Sequence, residues 1–132
     1  MPEELVQGRQ AVYFDFFYDA LSTDPSRITP EARAAYVSAY GTDSTLTSRF
    51  IGYRAFPADA EENRRNTEVG TATPLLYLRG ERESGDIDAY IRGFREAGIT
   101  QVKQGIVPGA GHFAQEEAPK ETWRLIAGFA GI

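Results

Sequence analysis

The apolar positions along this chain change rhythm near residue 70. Before it, turn signals separate helical patterns; after it, short apolar runs alternate with helical ones. Residues 3–20 predict one helix. Val12 and Phe16 follow a helical spacing, and Tyr13, Phe14, Phe17 and Tyr18 crowd the other faces, the pattern of a helix buried on several sides. Residues 22–26 read as a loop. Thr29-Pro30-Glu31 is a helix start, with a hydroxyl cap, proline in the first turn and an acid beside the helix dipole. Ala32, Ala35, Tyr36, Ala39 and Tyr40 then recur on one face, and Gly41 closes the helix. Asp43 or Ser44 caps a third helix carrying Leu46, Phe50 and Tyr53, which Pro57 ends or kinks. Residues 58–66 predict a short charged helix facing water.

Pro74-Leu75-Leu76-Tyr77-Leu78-Arg79-Gly80 is an apolar run between breakers, as in a buried parallel strand. Residues 85–97 predict a helix with Ile87, Tyr90, Ile91 and Phe94 inward and Gly98 as its stop. Residues 99–107 predict a second strand. A sharp Pro108-Gly109-Ala110-Gly111 turn leads into His112. Residues 120–132 predict a closing helix with Trp123, Ile126, Ala127 and Phe129 or Ala130 inward, where Glu116 and Glu117 are expected to begin the helix. The order strand, helix, strand, helix places the chain in the α/β class. Two strands need neighbours to make a stable sheet.

Composition narrows the function classes. The 132 residues are 42% hydrophobic and 12% aromatic, enough for a core. With no cysteine, a disulfide scaffold, thiol catalysis and thiolate metal sites are excluded. One histidine excludes a multi-histidine metal site within the chain, and no cofactor is expected. The net charge of −5 argues against a nucleic-acid partner, and no apolar run approaches the ~20 residues of a membrane span. The acidic start, Met1-Pro2-Glu3-Glu4, is no secretory signal, so the expected location is cytoplasmic.

The chemistry-bearing residues gather in two loops that leave the carboxyl ends of the predicted strands, Gly80-Glu81-Arg82-Glu83-Ser84-Gly85 and Pro108-Gly109-Ala110-Gly111-His112-Phe113. Sites in open α/β sheets lie on that edge. An acid that accepts from an imidazole there fixes its tautomer and stabilises its charged form. Gly111-His112-Phe113 followed by Glu116-Glu117-Ala118-Pro119 and a last helix resembles the C-terminal part of an α/β-hydrolase, closest to the epoxide hydrolase and haloalkane dehalogenase group. Tyr36 to Tyr40 and Phe50 to Ala55 are similar to the helical cap of that group. The resemblance implies a partial α/β-hydrolase fold: a cap (lid) segment over residues 1–70, then strand-helix-strand-helix over residues 71–132.

The resemblance further implies that His112 is the catalytic base and Glu83, three residues after Gly80, its acid, with Asp86 and Asp88 as weaker candidates. Tyr53 matches a lid tyrosine that bonds the epoxide oxygen. Tyr36 and Tyr40 are expected to pack the helix, and Arg54 to pair with Asp59 or serve structure. The nucleophile elbow and the His-Gly oxyanion segment do not occur in this sequence. The expectation is therefore a chain that supplies base and acid for hydrolysis of an ester intermediate and is inactive alone. It would act on a small apolar substrate together with a nucleophile-bearing N-terminal half. The alternatives are a non-catalytic assembly module, including a homo-oligomer, and an esterase or dehalogenase fragment.

Overall fold

The computed structural model describes residues 2–67 and 69–132, without the side chains of Pro2, Asp43 and Ser44. Its first half is helical: α1 (Pro2–Val6), α2 (Gln10–Leu21), a 3-10 turn at Pro25–Arg27, α3 (Pro30–Ala39) and α4 (Asp43–Asn66). Its second half alternates: β1 (Leu75–Gly80), α5 (Ile87–Glu96), β2 (Val102–Val107), the short α6 (Ala114–Glu117) and α7 (Pro119–Ala130).

The predicted single helix over 3–20 is two helices. Gly8 between them has φ of 74°, a left-handed conformation that a helix cannot pass through. Nor is α2 buried on several sides: Tyr18 is buried, whereas Val12 and Phe16 are 73% and 66% exposed. α3 starts as its sequence predicts, with the Thr29 hydroxyl accepting from the Ala32 N–H at 3.3 Å. Its stop is at Tyr40, one residue before Gly41.

The α4 cap is Thr42, whose hydroxyl accepts from the Thr45 N–H at 3.3 Å; the side chains of Asp43 and Ser44, the expected caps, lie outside the described residues. Pro57 does not end the helix, which runs through it for 24 residues. Ala55 before Pro57, and Ala58, Ala60, Glu61 and Glu62 after it, are strong helix formers. Glu61 pairs with Arg64 one turn on and with Arg65 at 3.3 Å, so the charged end is a solvated face, as its composition predicts.

β1 and β2 pair in parallel, in register from Leu75 opposite Val102 to Gly80 opposite Val107. α5 makes the crossover between them, and α7 packs on both strands. The core under the turn after β2 joins Val107, Ala110 and Ala114 to Ala118 and Leu125. Trp123, expected inward, is 60% exposed, while Thr122 is buried and its hydroxyl donates to the Ala114 carbonyl at 3.0 Å. Tyr90, also expected inward, is 54% exposed and stacks on Tyr77. Arg33 joins the early helices. It pairs with Asp15 and Asp19 at 2.8 Å each and lies over the Tyr18 ring. Arg54 pairs with Glu3 of α1 at 2.5 Å, a partner too distant in sequence to anticipate.

Candidate functional site

The two strands end side by side, so the loops after them meet. Gly80, the last residue of β1, lies against the carbonyl oxygens of Ala110 and Gly111, closer than any side chain would permit. This close approach requires glycine. It brings the acid loop to the histidine loop: the Arg82 N–H donates to the Ala110 carbonyl at 2.9 Å, and the Glu81 carboxylate accepts from the Gly109 N–H at 2.9 Å.

Arg79 shapes the acid loop from within. Its buried guanidinium donates to the carbonyls of Glu83, Ser84 and Gly85 at 2.7, 2.5 and 3.2 Å. Its Nε also lies 3.8 Å from the Glu83 carboxylate. Glu83 is thereby turned toward His112, and His112 Nδ1 donates to Glu83 Oε1 at 2.9 Å. Nδ1 must carry the proton when its partner is an ionised carboxylate, which leaves Nε2 as the basic atom of a neutral ring. Of the candidate acids, only Glu83 makes this contact. Asp86 caps α5 by accepting from the Asp88 N–H at 2.9 Å, and it pairs with Arg92.

Glu117 does not begin the last helix as expected. It is buried on α6, where its Oε1 accepts from the Gly111 N–H at 3.0 Å and its Oε2 from the N–H groups of Thr23 and Asp24 at 2.8 and 3.1 Å. Backbone donors stand in for a cation here, and a carboxylate that accepts several of them tolerates burial. The His112 N–H donates to the Leu21 carbonyl at 3.0 Å. The histidine loop is thus fastened on two sides to the segment that follows α2.

His112 opens onto a cavity of about 460 Å³ between that loop and the early helices. Its walls are chiefly aromatic, with Phe14, Phe17 and Tyr18 from α2, Tyr40 from α3, and Phe50 and Tyr53 from α4. His112 and Tyr53 therefore share one cavity, and Glu83 backs the imidazole. Tyr36 and Glu116 line it too, and the Tyr36 hydroxyl donates to Glu116 Oε1. That bond, and burial after it, push the Tyr36 phenol up to about 12. Burial raises the Tyr13 and Tyr18 phenols above their ordinary value as well. The sequence predicts packing roles for Tyr36 and Tyr40, whereas both line the cavity. Their four-residue spacing puts them on one helix face, but which face meets a cavity is a tertiary fact.

Among the described residues no group of His, Cys, Asp or Glu could hold a metal ion. No helix among them is long and apolar enough to cross a membrane.

No protein-family model and no curated protein matches the sequence. Solved structures do match. One is Cfl2 of Burkholderia cenocepacia, at 25% identity and a TM-score of 0.84, covering 98% of this chain and 43% of that one. Another is ALR0039 of Nostoc sp PCC 7120, described as an α/β-hydrolase, at 28% identity and a TM-score of 0.85, covering 98% of this chain and 45% of that one. A third is the Cif epoxide hydrolase of Acinetobacter nosocomialis, at 21% identity and a TM-score of 0.83, covering 97% of this chain and 41% of that one. The chain thus spans less than half the length of the structures it matches. It has the partial fold, a helical segment followed by strand-helix-strand-helix, of the C-terminal part of an α/β-hydrolase.

Proposed function

We infer that this chain supplies the general base and its orienting acid to an epoxide-hydrolase-like site whose nucleophile comes from a separate segment. The observation that carries this reading is the 2.9 Å bond from His112 Nδ1 to Glu83, set at the wall of an aromatic cavity. In the complete site a nucleophilic carboxylate attacks an epoxide carbon, the ring C–O bond breaks, and the Tyr53 phenol gives its proton to the departing oxygen. His112 Nε2 then takes a proton from water as the water attacks the resulting ester, and Glu83 stabilises the imidazolium. The substrate is a small apolar molecule, and the residues N-terminal to about 70 act as the lid.

The test uses styrene oxide and p-nitrophenyl acetate with the chain alone, and with a nucleophile-bearing α/β-hydrolase half added. The expected result is no turnover alone, and turnover in the mixture that falls to background with His112→Ala. Turnover by the chain alone that is lost in His112→Ala would overturn the external nucleophile. Turnover in the mixture that is indifferent to His112→Ala would overturn the base.

A second reading, an assembly module, is favoured by the exposed Val12 and Phe16 of α2 and by a sheet of only two strands among the described residues. Sedimentation of the chain alone separates the two: a monomer at all concentrations counts against assembly.

A further inference from the structure

The cavity carries one polar feature that the hydrolytic reading above does not use. Glu116 and Tyr36, 80 residues apart in sequence, meet in its wall. The Tyr36 hydroxyl has a single proton and commits it to a hydrogen bond to Glu116 Oε1. An ionised carboxylate is acceptor-only and has lone-pair sites on both oxygens. One of these is taken by Tyr36, and the phenol oxygen keeps its own lone pairs. The pair therefore presents acceptors to the cavity and no donor.

This sets Tyr36 apart from Tyr53. An opening epoxide needs a donor at its oxygen, and Tyr36 has already committed its proton. With its phenol held at about 12, Tyr36 keeps that proton throughout the neutral range. The remaining lining also carries the Gln115 amide and the hydroxyls of Tyr18 and Tyr40, but among the described residues Tyr36 alone donates a hydrogen bond to the carboxylate. The rest is chiefly rings, and the cationic Arg49 lies over the Tyr53 ring at 5.5 Å. A half-buried carboxylate in an aromatic wall loses hydration when an apolar ligand fills the cavity, and that loss is repaid only by a donor on the ligand.

We propose that the Tyr36–Glu116 pair is a recognition subsite that selects molecules bearing a hydrogen-bond donor, a hydroxyl or an ammonium group, at the end of an apolar body. The inference rests on the cavity being the substrate site. It deepens that reading from "small apolar substrate" to an apolar epoxide or ester with a donor-bearing tail. Within that class, an ammonium tail gains from the surrounding ring faces as well as from the carboxylate.

The chain holds a single histidine, so the His112 ring signal in NMR is unambiguous and reports filling of the cavity. The probes are 2-phenylethanol, 2-phenylethylammonium and (2-methoxyethyl)benzene, which share a body and differ in the donor. The expected result is that both donor-bearing probes bind about tenfold more tightly than the methyl ether. In Glu116→Leu the alcohol and the methyl ether should bind alike, and the ammonium should keep only what the ring faces supply. Glu116→Gln keeps an acceptor and loses the charge, so it should keep the preference for the alcohol and lose most of that for the ammonium. Equal binding of all three probes to the unmodified chain would overturn the subsite and leave the cavity as substrate site intact. Failure of every probe to move the His112 signal would overturn both. The unmodified chain alone decides between these outcomes, so a variant that does not fold leaves the test complete.

Discussion

Glu117→Gln isolates the contact on which the placement of His112 depends. The carboxylate accepts three backbone N–H groups: Gly111 at 3.0 Å on one oxygen, and Thr23 and Asp24 at 2.8 and 3.1 Å on the other. Hydrogen bonds to a charged group contribute about 1.5–3 kcal/mol each, and a buried donor left unpaired costs about 1–3 kcal/mol. Glutamine keeps one acceptor oxygen and turns an NH2 toward the other set of donors. The amide will settle in whichever orientation loses least. Turned toward Gly111, it gives up the bonds to Thr23 and Asp24, whose residues water can reach. Both N–H groups share one oxygen and regain water, so together they count as about one such bond and the expected loss is about 2 kcal/mol. Glu117→Ala gives up all three bonds and leaves the buried Gly111 N–H without its acceptor, so about 4 kcal/mol is expected. Urea unfolding followed by circular dichroism measures both, read as a shift in midpoint at constant slope. Amide exchange gives a local check: the N–H groups of Thr23 and Asp24 should exchange about thirtyfold faster in Glu117→Gln. A Glu117→Gln protein within about 0.5 kcal/mol of the parent, with unchanged exchange at Gly111, Thr23 and Asp24, would refute the reasoning.

Three further outcomes are expected. Gly80→Ala forces a Cβ into the carbonyls of Ala110 and Gly111, so it should cost about 3 kcal/mol or more in a thermal or urea melt; a fully stable variant would show that the loops can separate freely. In nitrogen-15 spectra of the neutral His112 ring the Nδ1–H form should dominate, and Glu83→Ala should shift the population toward Nε2–H; an unchanged spectrum would mean that Glu83 does not set the tautomer. Because the folded pKa of Tyr36 is raised to about 12 from an ordinary 10.0, the stability it confers is full below pH 10.0 and is lost as pH rises toward 12. Urea melts across that window should therefore fall less steeply for Tyr36→Phe, and parallel profiles would count against the Tyr36–Glu116 bond.

How much was legible in the sequence follows from the range of each interaction. The α3 start is local, since a hydroxyl, a proline and an N–H three residues on determine it together, and it forms as written. The two strands and their turns were also legible, because a short apolar run between breakers has few alternatives in an α/β chain. So was the meeting of the two loops, since parallel strands in register carry both to one edge, whereas the choice of Glu83 over its neighbours came from the resemblance. Local rules failed where two of them competed. Pro57 and its helix-forming neighbours point opposite ways, and the neighbours prevail.

The pairings between distant segments come from packing alone. Glu117 looked like a first-turn acid, and it is a buried acceptor for residues more than 90 positions earlier. Tyr36 reads as packing in the sequence, and it donates a hydrogen bond to a carboxylate 80 positions away. Nothing in the residues around either one encodes the partner. A carboxylate reads the same whether it ends in water or against three backbone N–H groups, and only the packing of the early helices on the histidine loop chooses between them.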